Sequence, residues 1–269
     1  MVNYMLKISK YELKCNADLK IVHFSDIHYE KNFRLKKFKQ IISKIKELKP
    51  DYICITGDIV DNLEITKSEK MQKLADFLEE LTKLSKVIIS LGNHDTRDCK
   101  KLKDNKWYND LNKNIILLNN SSYEDENIYF YGLTMPGNYY YGENKKEQEL
   151  FGAFKNIKIN SNKYSILLFH SPINLKKERI IKINKFNLIL TGHTHNGLTP
   201  HFIPGNFGLV APYHKLFLKN ARNSFEIEKS KVIISGGITK ISKKIIGILD
   251  LLFASDIVYI CLKKNNKKV

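Results

Sequence analysis

Seven side chains in this 269-residue chain have the types and spacing of a metal centre: Asp26, His28, Asp58, Asn93, His170, His193 and His195. They fall in five short clusters, Ser25-Asp26-Ile27-His28, Gly57-Asp58, Gly92-Asn93-His94-Asp95, His170 and Gly192-His193-Thr194-His195. A single Asp or His after an apolar run is commonplace, but five in this order are not. Carboxylate and amide oxygens with neutral imidazoles, and no thiolate among them, suit divalent ions such as Mn, Fe, Zn, Co or Ni. Seven candidates exceed the needs of one ion, so two ions are expected. Two ions about 3.5–4 Å apart can activate water for in-line attack and clamp developing negative charge. A carboxylate with two oxygens is the natural bridge between them.

The elements that must position these residues are legible around them. Each cluster follows a short apolar run: LKIVHF, YICIT, VIISL, YSILLF and FNLILT. Such runs, alternating with segments of helical period, predict an α/β architecture. Ligands of open α/β sheets collect beyond the carboxyl ends of the strands, so all five clusters can converge on one edge. A first helix carries Leu35, Phe38, Ile41, Ile42, Ile45 and Leu48 on one face and stops at Pro50. A second is opened by a Thr66-x-x-Glu69 capping box and carries Met71, Leu74, Phe77, Leu78, Leu81 and Leu84. Further strands are expected over 115–118, 128–133, 164–169 and 186–190, then 224–228, 231–235 and 257–262 in a β-rich last third. No repeat or linker divides residues 1–269, so a single domain is expected.

Composition narrows the class. Lys and Arg number 45 against 28 Asp and Glu, a net charge of +17, while 43% hydrophobic content is enough for a sizeable core. Only Arg34, Arg97, Arg179 and Arg222 are arginines. Arginine is the planar reader of phosphates and lysine a solvated point charge, so the excess reads as a solvated surface with no dedicated nucleic-acid module. Cys15, Cys54, Cys99 and Cys261 form no CxxC pair, which argues for a reducing compartment. The first twenty residues lack the apolar core of a signal peptide, and no apolar run reaches about 18 residues, so a cytoplasmic protein is expected. The run from Ile245 to Ala254 carries Asp250 and reads as a half-buried helix. Its alternative, with Lys243, Lys244, Lys263 and Lys264 beside it, is peripheral contact with an anionic membrane. Arg97 is either a surface residue beside Asp98 or a contact to a substrate phosphate. Tyr139, Tyr140 and Tyr141, between Gly137 and Gly142, either cover the core or form an aromatic lip at the substrate pocket.

The ordered blocks D-x-H, G-D, G-N-H-D, H and G-H-T-H, spread over about residues 19 to 197, resemble the calcineurin-like metallophosphoesterase superfamily. The segment GHTHNG, with Pro200, Pro204, Gly205 and Pro212 and the later Ser235-Gly236-Gly237, is similar to its bacterial YkuE-type group. It departs from that group's pattern at Thr96-Arg97, Asn196 and Leu198, around the substrate rather than at the metals. The resemblance implies a four-layer α-β-β-α sandwich of two packed mixed sheets flanked by helices. It implies one ion on Asp26, His28, Asp58 and His195, and a second on Asp58, Asn93, His170 and His193. By the same resemblance His94 would protonate the leaving oxygen or stabilise the phosphoryl charge, and Asp95 would orient it. The implied reaction is hydrolysis of a phosphodiester by a hydroxide bridging the ions, with phosphomonoesters and pyrophosphates as alternatives. Lipid-linked or nucleotide substrates fit, a nuclease is the runner-up, and a non-catalytic scaffold is the reading from another class.

Overall fold

The computed structural model describes residues 6–30, 33, 35–61, 71–96, 107–141, 146–159, 162–200, 202–211, 215–239 and 253–264. Two six-stranded mixed sheets lie face to face with helices outside them. In chain order the strands of the first sheet are β1 (Leu6–Cys15), β2 (Leu19–Phe24), β3 (Tyr52–Thr56), β4 (Lys86–Ser90) and β5 (Ile115–Leu118). The second sheet uses β6 (Ser121–Glu124), β7 (Ile128–Leu133), β8 (Tyr164–Phe169) and β9 (Leu188–Thr191). A two-stranded ribbon follows, β10 (Gly208–Ala211) with β11 (Lys215–Leu218). The chain returns to the second sheet in β12 (Asn223–Ile227) and β13 (Ser230–Ile234), then closes the first with β14 (Ser255–Lys264). The strand orders are β1-β14-β2-β3-β4-β5 and β12-β13-β9-β8-β7-β6.

The central strands are parallel, β2 to β5 in one sheet and β7, β8, β9 and β13 in the other, and they are buried on both faces. That is why they read as continuous apolar runs rather than alternating ones. Alternate residues still divide between layers. Ile21, Cys54, Ile88 and Val258 face Phe130, Ile166, Leu168, Leu190 and Ile233 between the sheets. Val22, Phe24, Ile53, Ile55, Val87 and Ile89 face outward onto α1 (Lys36–Leu48) and α2 (Met71–Thr82). These helices contribute Phe38, Ile41, Ile45, Leu74, Phe77, Leu78 and Leu81, the faces read from their periodicity. Helix α1 ends where Lys49 turns left-handed at φ 46° and its N–H bonds the Ile45 carbonyl, with Pro50 forbidding another turn.

The outer face of the second sheet is covered by α4 (Gly137–Tyr141), α5 (Lys146–Lys155) and α6 (Glu178–Ile183), through Tyr139, Tyr140, Leu150, Phe154 and Ile180. The four-residue helix α3 (Asn93–Thr96) follows β4. Four strands escape a reading by hydrophobicity: β1, β6 and the ribbon strands β10 and β11. Strand β1 is an edge strand with only Cys15 fully buried, and its alternation is broken by Lys and Ser. The Thr66-x-x-Glu69 box, Arg97, Cys99 and all but Phe253 and Ala254 of the late apolar run lie outside the described residues, as does the side chain of Tyr141. Among the described residues no helix is long and apolar enough to cross a membrane.

Candidate metal centre

The site grows from the carboxyl ends of β2, β3, β4, β8 and β9, where the five clusters begin. The loops are stitched by backbone bonds: Asp26 N–H to Gly57 O (3.0 Å), His28 N–H to Asp58 O (2.9 Å) and Gly192 N–H to His170 O (2.8 Å). Close approach is the reason for glycine at two of these positions. A Cβ on Gly57 would sit 2.4 Å from the Gly92 nitrogen, and one on Gly192 would sit 2.5 Å from Asp26 Oδ2. Five of the seven candidate ligands carry a backbone cost: Asp26, His28, Asp58, His193 and His195 all have φ between 47° and 69°. Left-handed backbone at non-glycine residues concentrates where surrounding structure enforces it for function.

Side chains converge on two carboxylates. Asp26 Oδ1 lies 3.6 Å from His28 Nε2, 3.5 Å from His195 Nε2 and 4.0 Å from His170 Nε2. Asp58 Oδ2 lies 3.7 Å from His28 Nε2 and 3.1 Å from His170 Nε2. The other ring nitrogens are committed: Nδ1–H of His170 donates to Thr56 O (2.7 Å) and that of His195 to Thr239 O (2.9 Å). A carbonyl can only accept, so both rings donate through Nδ1 and turn Nε2 inward, the nitrogen a metal would take once any proton on it has left. His193 Nδ1 stands 3.2 Å from His170 Nε2, two nitrogens aimed at one point beside Asp58.

The donor set fits divalent ions. Asp26-His28-His195 and Asp58-His170-His193 each bring their ligand atoms within 4.8 Å of one another, and His28-Asp58-His94 links the two groups. Asp26 Oδ1 and Asn93 Oδ1 are buried acceptors without a hydrogen bond, which is costly unless a cation meets them. The electrostatics agree. Burial pushes Asp26 upward, but His195, His28 and His170 outweigh it and hold the carboxyl well below its usual range. Burial likewise opposes ionisation of Asp58, yet His170 and then His94 bring it down. Burial lowers His28 and His170, but the carboxylates win, raising His28 to about 10 through Asp26 and Asp61, and His170 to about 9 through Asp58. His193 goes the other way, to about 3, by burial and the neighbouring His170.

His94 stands at the open side of the cluster, its side chain 21% exposed, with Nε2 4.0 Å from Asp58 Oδ2. Its Nδ1–H donates to the Asp61 carbonyl (2.7 Å), and Asp61 Oδ1 lies 3.6 Å from the same nitrogen and 3.3 Å from His28 Nδ1. This differs from the sequence expectation that Asp95 orients His94. Asp95 is fully buried and its two oxygens accept from backbone N–H groups of Gly92 (2.9 Å), Ile59 (3.0 Å) and Val60 (3.3 Å). It ties the β3 and β4 loops together, while Asp61 holds the ring. Burial and the nearby Asp58 raise the Asp95 carboxyl to about 6.

The aromatic lip is also corrected. Tyr139 and Tyr140 are both 2% exposed. Tyr140 packs its ring 5.4 Å from His193 and 6.0 Å from His170, and Tyr139 packs behind it on Phe169, so they wall the site from the core side. Sequence reasoning missed Asp61, although the Asp58-x-x-Asp61 spacing keeps it on the same loop. It also missed Thr239, whose N–H and hydroxyl bond Asp26 O (3.0 Å) and Ile27 O (2.7 Å) while its carbonyl holds His195.

A family model described as calcineurin-like phosphoesterase matches residues 19–197, two thirds of the chain and every cluster above. The chain belongs to the calcineurin-like phosphoesterase family. Three relatives extend the match. YkuE of Bacillus subtilis, an uncharacterized metallophosphoesterase, is 30% identical over 225 residues, covering 80% of this chain and 73% of that protein. An Aquifex aeolicus metallophosphoesterase is 26% identical, covering 72% of each. One from Campylobacter jejuni is 28% identical over 67% of this chain, which spans only 45% of that protein's length. Among solved structures, TT1561 of Thermus thermophilus aligns with a TM-score of 0.47 at 11% identity, covering 82% of this chain and 90% of that one. The phosphoesterase is thus a metal-dependent phosphoester hydrolase with clustered candidate ligands at one sheet edge.

Proposed function

We propose that residues 1–269 form one domain whose two-ion centre hydrolyses phosphodiester bonds, with His94 as proton donor. The observation that carries this is the convergence of three imidazole Nε2 atoms on Asp26 Oδ1 and Asp58 Oδ2, with His94 at the open side. Asp26, His28, Asp58 and His195 would hold one ion, and Asp58, Asn93, His170 and His193 the other. When bound, the ions supply an activated water and neutralise charge on the phosphoryl oxygens.

The chain's own part is positional. Asp61 fixes the proton of His94 on Nδ1, so the protonated ring presents Nε2–H to the leaving oxygen. As the water oxygen bonds phosphorus and the ester bond breaks, that proton passes to the departing alkoxide. Asp95 and the glycines hold the loops in register. The diester is the reading carried from the sequence; among the described residues Asp26 and Asp58 make ion pairs only with histidines. A nuclease reading has the net charge of +17 in its favour and the four arginines against it. A scaffold would have no use for a ring held at the open side as His94 is.

A second observation bears on where the enzyme works. Phe202, Leu216 and Phe217 are 65%, 65% and 67% exposed, on or beside the β10–β11 ribbon, with Lys215 and Lys219 in the same stretch. This supports contact of the enzyme, read from its sequence as cytoplasmic, with an anionic membrane, here through the ribbon rather than the 245–254 run expected from sequence. The hydrolytic reading is tested with Mn²⁺ and bis-p-nitrophenyl phosphate. Asp58→Asn is expected to abolish turnover, and full activity in that variant would remove the bridging role. A panel of lipid phosphates, cyclic nucleotides, monoesters and single-stranded DNA then identifies the substrate class.

A further inference from the structure

A cavity opens at the same edge of the sandwich as the metal residues, with a volume of about 150 Å³. Its position follows from the register. Strand β14 runs antiparallel to β2 and β1 parallel to β14, so their first residues lie where β2 ends, at Asp26. Lys7 pairs with Asp256, whose N–H bonds the carbonyl of Gly237, and a Cβ on Gly237 would lie 2.8 Å from that of Asp26. Across the gap, Asn223 pairs with Ile234 at the corresponding end of the second sheet. Asn196, directly after His195, lines the cavity too, so its wall begins one residue from a candidate ligand.

The lining has a defined chemistry. Lys7, Arg222, Asn196, Thr199 and Asn223 form its polar part, Phe253 and Ala254 an apolar wall, and none of the described residues lining it carries a carboxylate. Arg222 is only 5% exposed. Its guanidinium donates to the carbonyls of Pro200, Ile203 and Pro204, which anchor it without neutralising it. Its Nε–H is buried and bonds nothing among the described residues, and none of their carboxylates pairs with it. A buried, unpaired guanidinium is costly, and an anion is the partner that would relieve it. Arginine's planar fork suits phosphate, and this chain, rich in lysine, places one of its four arginines here. A water needs only ~10–15 Å³ of such space, so the cavity has room for a tetrahedral oxyanion.

We propose that this cavity is an anion subsite that receives a second phosphoryl group of the substrate, held by Arg222 and Lys7 beside His195. The proposal rests on the hydrolytic reading above for the word substrate, but the subsite itself can be tested without it. Sulfate is the first probe, read by thermal shift on the metal-loaded, full-length protein. Wild type should be stabilised with half-saturation in the low millimolar range, and Lys7→Gln should raise that concentration about fivefold. Arg222→Lys should do the same if it folds; Lys7 lies on an exposed edge strand, so its variant keeps the test alive if Arg222→Lys does not. The second probe is inhibition of bis-p-nitrophenyl phosphate hydrolysis by ADP and AMP under excess Mn²⁺. ADP should inhibit wild type at least tenfold more tightly than AMP, and Lys7→Gln should bring the two close together. Absence of bis-p-nitrophenyl phosphate hydrolysis would sink the function and leave the sulfate result to stand. Unchanged sulfate half-saturation in Lys7→Gln overturns the subsite. Equal inhibition by ADP and AMP in wild type overturns its role toward substrate.

Discussion

The division of labour between the two nitrogens of each ring governs the chemistry of single residues. His94, His170 and His195 each give Nδ1–H to a backbone carbonyl, so each can act only through Nε2. His170 is fully buried whereas His94 and His195 are 21% and 20% exposed, so exposure does not separate the proposed donor from a ligand, and only a variant can. His94→Ala should lower kcat about 10²-fold or more with metal content intact by elemental analysis, and loss of metal would make it a ligand instead. The histidine shifts carry a second expectation. With His28 at about 10 and His170 at about 9, both rings are protonated at pH 7.5 before metal binds. A ligand needs its lone pair, so binding must expel protons, and affinity must rise with pH up to about 10, where His28 loses its proton unaided. Calorimetry of Mn²⁺ binding in buffers of different ionisation enthalpy reads the number released, and zero would contradict this charge arrangement. The seven candidate ligands were legible in sequence because their order and chemistry are unusual together. Asp61 was not, because its part is played largely by a backbone carbonyl, for which side-chain identity gives no signal.

Strands and loops succeed or fail by how tightly they meet. Strands β2, β3, β4, β8 and β9 were readable because parallel strands buried on both faces must be uniformly apolar. Edge strand β1 was not, since its exposed residues carry no constraint on hydrophobicity. Tyr139 and Tyr140 were open between lip and core, a choice that depends on which way a five-residue helix turns. The loops after β3 and β4 touch at Gly57 and Gly92, where added atoms have no room. Gly57→Ala combines that clash with a φ of 77°, unfavourable to any side chain. It should cost at least about 2 kcal/mol, because strained backbone and overpacking add. Chemical denaturation checks this, and a variant as stable as wild type would show that the loops can separate.

The whole molecule sets where such a centre can be used. The four layers were foreseeable from the resemblance and from two sets of apolar strands, but the β10–β11 ribbon was not, because its exposed Phe and Leu obey no core pattern. The proposed contact with an anionic surface rests on the net charge of +17 and the exposed apolar ribbon. The protein should sediment with vesicles rich in phosphatidylglycerol at low salt, and Phe217→Ser with Leu216→Ser should weaken this several-fold. Absence of binding to such vesicles at low salt would remove the membrane reading.

The order of strands in the first sheet also has a meaning in time. β14 lies between β1 and β2, so Leu6 finds its partner Ser255 only after 249 further residues have been made. On the ribosome β1 is thus made well before the strand that seats it. Thr239, which fixes His195, arrives just before that step. A nascent chain therefore holds all seven candidate ligands well before it can hold them still, and metal capture and closure of the first sheet should fall close together, once β14 has emerged.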